Sequence, residues 1–107
     1  MTIIAQTKLF THDNRWKQYN ITIYIPEPDP APGGDMRCGV KITGNKIKYV
    51  YGIDSFQSLF HAFMLIQSNA LYLIRNKIQL YHDRNIDHEY DIKLLMLHDF
   101  SKYNKAT

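Results

Sequence analysis

The residues of this chain best able to do chemistry are its histidine–acid neighbours: His12-Asp13, His82-Asp83, Asp87-His88-Glu89 and His98-Asp99. Imidazoles and carboxylates ligate metal ions, and a pair of bound metals can hydrolyse a phosphoester. The spacing argues against that use. Adjacent residues on a strand project to opposite faces, so a His-Asp pair does not converge on one ion without help from loop or helix geometry. A helical hydrolase built on such pairs would also need more helix than this β-rich chain of 107 residues can hold. These residues read as solvated loops and rims, so no metal site and no cofactor is expected. Cys38 is the other candidate, since a thiol becomes a nucleophile when a histidine lowers its pKa. Its place on an inward strand face reads instead as a small core hydrophobe. No catalytic residue is assigned, and the chain is expected not to be an enzyme.

Binding chemistry is better represented. The net charge is +3. Residues 1–53 carry seven Lys/Arg against four Asp/Glu, and residues 54–107 carry six of each, so the whole excess lies in the first half. Arg37, Lys41, Lys46 and Lys48 fall on one strand pair and predict a basic stripe. Trp16 and Tyr24 are the aromatics of a neighbouring polar face. Aromatics among basic residues on an open sheet can stack single-stranded nucleic acid, although Lys on a sheet face also serves to discourage aggregation. On the helix described below, His61, Leu65 and Tyr72 are spaced as neighbours and predict a protein-contact patch, with Trp16 and Tyr24 as further partner-binding candidates. The chain has eight tyrosines, a residue type suited to interfaces.

The elements that must position these residues follow from periodicity. A single domain over 1–107 is expected at this length. Residues 2–10 alternate loosely as a first strand. In residues 15–25, Tyr19, Ile21, Ile23 and Ile25 share one face and Gln18, Asn20, Thr22 and Tyr24 the other, the mark of a half-buried strand. Pro26 to Gly34 carries prolines at every second position, which end the strand and predict a semi-rigid loop. Residues 36–53 read as a hairpin with a two-residue turn in Thr43-Gly44-Asn45-Lys46. Its predicted register sets Ile42 against Ile47, Val40 against Tyr49, Cys38 against Tyr51 and Met36 against Ile53. Lys41 then faces Lys48 on the other side, with Arg37 facing Gly52.

Asp54 predicts a helix N-cap with Gln57 three residues on, and the helix is expected over 54–75. Phe56, Leu59, Phe60, Phe63, Ala70, Leu71 and Ile74 share a broad face predicted to pack on the sheet, with Gln67 in its middle. Leu65 interrupts the opposite, polar face. After Asn76, residues 78–82 suit a returning strand, Asp83 to Asp91 a loop, and Ile92 to Leu97 either a buried strand or a short helix. The tail 101–107 is expected to fray.

The predicted fold is therefore α+β: a four-stranded antiparallel sheet over 2–53, one long helix packed against it, and a C-terminal extension over 76–107 that adds a strand or short helix. No apolar run approaches the roughly 20 residues of a membrane span. The N-terminus lacks the pattern of a signal peptide, and the single cysteine suits a reducing cytoplasm. Pro26-Glu-Pro, Arg37-Cys38-Gly-Val-Lys-Ile42 and Tyr51-Gly-Ile-Asp-Ser-Phe-Gln-Ser-Leu59 with Ala62 resemble a small bacterial domain family of unknown function. That family has a cysteine strand and a Gly-hydrophobic-Asp step into a helix bearing Gln and Ala. The resemblance covers about residues 3–75 and implies an antiparallel sheet with one packed helix and no assigned activity. The function expected is a non-enzymatic module that binds another protein, a toxin-neutralising (immunity-type) protein being one example. The alternative is nucleic-acid binding through the basic sheet face.

Overall fold

The computed structural model describes residues 1–96 except Pro32, Gly34 and Asn45. In chain order the elements are β1 (Ile3–His12), β2 (Trp16–Tyr24), β3 (Glu27–Pro28), β4 (Met36–Ile42), β5 (Lys48–Gly52), α1 (Ser55–Arg75), β6 (Leu80–Tyr81), β7 (Glu89–Tyr90) and a 3-10 helix (Ile92–Leu95). The α+β class is as expected, but the described residues form a sheet of seven strands rather than four. The four long strands are the expected ones. β6 falls within the returning strand expected at 78–82, whereas β3 and β7 have two residues each, too short to leave a periodic signal. All pairings are antiparallel. β2 pairs with residues 40–42 of β4 and β3 with residues 36–37, so the two line one edge of β4 while β5 lines the other. The proline-rich segment is thus partly strand, and Asp29 N–H donates to Asp35 O at 2.7 Å to close it.

The β4–β5 register differs by one residue from that predicted. Cys38 faces Val50, Arg37 faces Tyr51, Met36 faces Gly52 and Val40 faces Lys48. The cause lies in β2. Thr43 stays bound to it after β4 ends, its N–H donating to Asn20 O at 2.8 Å and its hydroxyl accepting from Asn20 N–H at 3.3 Å. Thr43 and Gly44 both take positive φ, 44° and 87°, and β4 and β5 pair no further than Val40 with Lys48, so a wider loop replaces the two-residue turn; Asn45 of the predicted turn lies outside the described residues. Because side chains alternate, a one-residue slip exchanges faces along all of β5. Lys41 and Lys48 are therefore not opposed. Lys41 faces Thr22 on the outer side of the sheet, and Lys48 starts from the helix side.

The start of α1 forms as its sequence dictates. Asp54 accepts from Gln57 N–H at 2.7 Å, and Gln57 Oε1 accepts from Ile53 N–H at 2.7 Å, one residue beyond the usual reciprocal cap. Its end is closed by Ile78 N–H to Leu73 O (2.9 Å) and Lys77 N–H to Ile74 O (3.1 Å), with Lys77 in the left-handed region at φ 54°. The packing face is rotated from the one predicted: Ala70 and Leu59 of that face pack inward, but most of it does not. Ser58, Ala62, Ile66, Ala70 and Leu73 are buried, whereas Phe56, Phe60, Phe63 and Ile74 are exposed. At 100° per residue the buried centre is displaced by roughly 100° from the aromatic stripe. The helix lies over β4 and β5, and small residues let it approach. A Cβ on Gly52 would sit 2.5 Å from Ser58 N and 2.8 Å from Gln57 C, both backbone atoms.

Two clusters form the core. Ile21, Ile23, Cys38 and Val40 of the sheet meet Ala62 and Ile66, with Leu59 and Leu65 packed against them. Leu9, Leu73 and Leu80 form the second, capped by Ile78, Tyr90, Ile92 and Leu95. Ile25, expected inside, is exposed because β2 ends at Tyr24. Gly52→Ala is expected to lower stability by about 3 kcal/mol, since helix backbone must move to admit a methyl group. Lys77→Gly is expected to raise it by roughly 0.5–1 kcal/mol by relieving the left-handed cost. Urea midpoints at constant m-value would check both.

Candidate functional site

The largest chemically distinctive surface is the solvent face of α1. Phe56, Phe60, Phe63 and Met64 recur at helical spacing there, and Ile74 continues the line. From Ser55 to Ile74 the helix carries no Asp, Glu, Lys or Arg, and Arg75 is its first ionic side chain. Exposed aromatics in one contiguous band differ from the single exposed apolar residues that any surface shows. The predicted patch of His61, Leu65 and Tyr72 is split by the same rotation. Leu65 is half-buried against the sheet core, His61 Nδ1 lies 2.6 Å from Tyr51 O, and Tyr72 alone of the three is exposed.

A groove of about 270 Å³ adjoins Phe63, between Ile66 of α1, Ala5 and Thr7 of β1, and Leu94–Met96. Beside it the edge of β1 is open: away from β2, the described residues pair β1 only at Phe10 with Tyr81. Ile3 and Ile4 on that strand are exposed.

On the outer sheet face the predicted basic stripe is broken up. Arg37 Nε donates to Glu27 Oε1 at 2.9 Å, and its guanidinium lies 4.0 Å over the Tyr49 ring. Desolvation opposes the Arg37 charge, and the Glu27 hydrogen bond with nearby Tyr49, Glu27 and Asp29 outweighs it, so the guanidinium holds its proton more firmly. Lys46 is exposed after the hairpin loop, apart from this group. Tyr24, expected exposed, is buried because it packs near Gly39 with Met1 and Ile47. Trp16 is half-buried, its ring 4.6 Å from His12 and 5.2 Å edge-on from Tyr81.

The histidine–acid neighbours do not gather. His88 Nδ1 contacts Asp83 at 2.8 Å across an exposed loop, and His82 stacks edge-on with Tyr90. Among the described residues no three His, Cys, Asp or Glu side chains converge; His98-Asp99 and the tail 101–107 lie outside them. Cys38 is buried, its thiol donating to Tyr24 O at 3.3 Å, and burial pushes its pKa up. A protonated, enclosed thiol is poorly suited to attack a substrate.

Compared with protein-family models, curated proteins and solved structures, the chain matches none. No helix among the described residues is long and apolar enough to cross a membrane. The aromatic band on α1 could have been found from sequence by its other half: Ser58, Ala62 and Ala70 mark a small-residue face made for close approach, which leaves the aromatic face outward.

Burial pushes the Tyr19 phenol up to about 12, and its hydroxyl has no hydrogen-bond partner among the described residues. An unfolded tyrosine ionises near pH 10, so the folded state holds this proton more tightly. The sign follows from linkage: stability is unaffected by Tyr19 below about pH 10, then falls by up to about 1.4 kcal/mol per pH unit as pH rises toward 12. Tyr19→Phe is expected to remove that part of the alkaline loss without lowering stability at pH 7, as read from urea unfolding of both proteins from pH 7 to 11.5.

Proposed function

We propose that this chain is a non-enzymatic protein-binding module and that the solvent face of α1 is its contact surface. The observation that carries the reading is the exposure of Phe56, Phe60, Phe63 and Met64 in one band on an uncharged helix. Aromatic and methionine side chains are enriched at interface centres, where charged residues are depleted. A rigid helix presenting them loses little conformational entropy on binding. The bacterial family resemblance belongs to the same proposal. Its residues do structural work here: Cys38 fills the core, Gly52 admits the helix and Asp54 caps it. A toxin-neutralising protein is the biological setting we put forward.

Phe60→Asp and Met64→Asp alter exposed side chains outside both core clusters and should leave the melting temperature within a few degrees. Each is expected to abolish recovery of a partner from native-host extract, whereas Lys41→Glu on the far sheet face leaves recovery unchanged. Equal recovery by wild type and both α1 variants would sink the reading.

A further inference from the structure

We propose that the partner on α1 is a second copy of this chain, the two helices packing antiparallel about a twofold axis near residue 65. The inference rests on the reading of α1 as a contact surface and names its occupant.

The first support is area. Phe56 is 82% exposed, Met64 48%, Phe60 44%, Ile74 40% and Phe63 37%. At about 200 Å² for a whole aromatic side chain these residues offer roughly 500 Å² of apolar surface per chain. A twofold contact buries the same patch on both copies, so about 1,000 Å² in all, the size at which specific interfaces begin. The band runs from 56 to 74, about 27 Å of helix, so one helix of a second copy covers it from end to end.

The second support is spacing. Phe56, Phe60, Phe63 and Gln67 are separated by four, three and four residues, the repeat that seats one helix against another with shallow crossing. Reversing one copy about residue 65 sets Phe56 against Ile74 and Phe63 against Gln67 of the second chain.

Charge selects the direction. Arg75, exposed in the last turn, is the one ionic side chain of α1. A parallel pair would bring the two Arg75 side chains to the same end. An antiparallel pair separates them and opposes the helix dipoles favourably. The uncharged middle presents no like charges in the same arrangement.

Sedimentation equilibrium between 5 and 500 µM tests the proposal on the full chain. The expected mass rises from 12.6 kDa to twice that value across the series. Phe60→Asp is expected to weaken association by at least about 30-fold, as for an interface hot spot. Phe56→Asp, at the most exposed position, should do the same and guards against a folding defect in the first variant. A wild-type chain that stays monomeric at 500 µM overturns the second copy as occupant while leaving α1 available to a different protein. Dimers insensitive to Phe56→Asp and Phe60→Asp overturn the proposed interface. Loss of a foreign partner in Phe60→Asp alongside a monomeric wild type would separate the two ideas, upholding the contact surface and rejecting self-pairing.

Discussion

The close contact of α1 with β5 at Gly52 is the constraint on which the rest depends. Backbone atoms of Gln57 and Ser58 occupy the volume a side chain at 52 would need. Only a helix face of small residues can approach so far, and Ser58, Ala62 and Ala70 supply it. Once they face the sheet, the rotation of α1 is set. Ile66 and Leu73 fall inward, and the bulky Phe56, Phe60 and Met64 cannot. The exposed band is the consequence of that fit and not an independent feature. A helix with apolar residues around most of its circumference is ordinarily covered on more than one side, which is the physical reason for seeking its function in what covers the second side.

The two faces of the sheet divide the remaining work. On the inner face β2 and β4 bury Ile21, Ile23, Cys38 and Val40 beneath α1. The outer face is less wet than alternation alone suggests. Thr22 and Tyr24 are buried there, Met1 and Ile47 approach Gly39, and the Glu27–Arg37–Tyr49 group ties β3, β4 and β5 together. Arg37 thus serves as a clasp, already paired with an acid. A polyanion would have to displace Glu27 before using it, which weakens the case for this face as a nucleic-acid platform.

Much of the fold was legible in order and type. The long strands, the Asp54 cap and the helix span emerge from alternation, turn residues and capping chemistry, all of which act within a few residues. What was not legible involved choices between near-equal local solutions. The hairpin could turn in two residues with apolar partners throughout, and local patterning favours that register. The contact of Thr43 with Asn20, twenty-three positions away in sequence, selects the other. The helix offered an aromatic face and a small-residue face. Hydropathy ranks the first as the core, whereas closeness of approach selects the second. The candidate site inherits both choices: Lys48 left the basic stripe with the register, and Leu65 left the outer patch with the rotation.

The sequence by itself determined the order and type of the four long strands and the helix, the Asp54 cap, and that Cys38 lies inside. These follow from interactions between near neighbours, whose strengths depend on residue type alone. Tertiary structure decided the face of α1 that meets the sheet, the pairing of β4 with β5, and the capture of Arg37 by Glu27. Each depends on which distant surfaces fit within van der Waals distance, and packing of that kind is settled only when the whole backbone is in place.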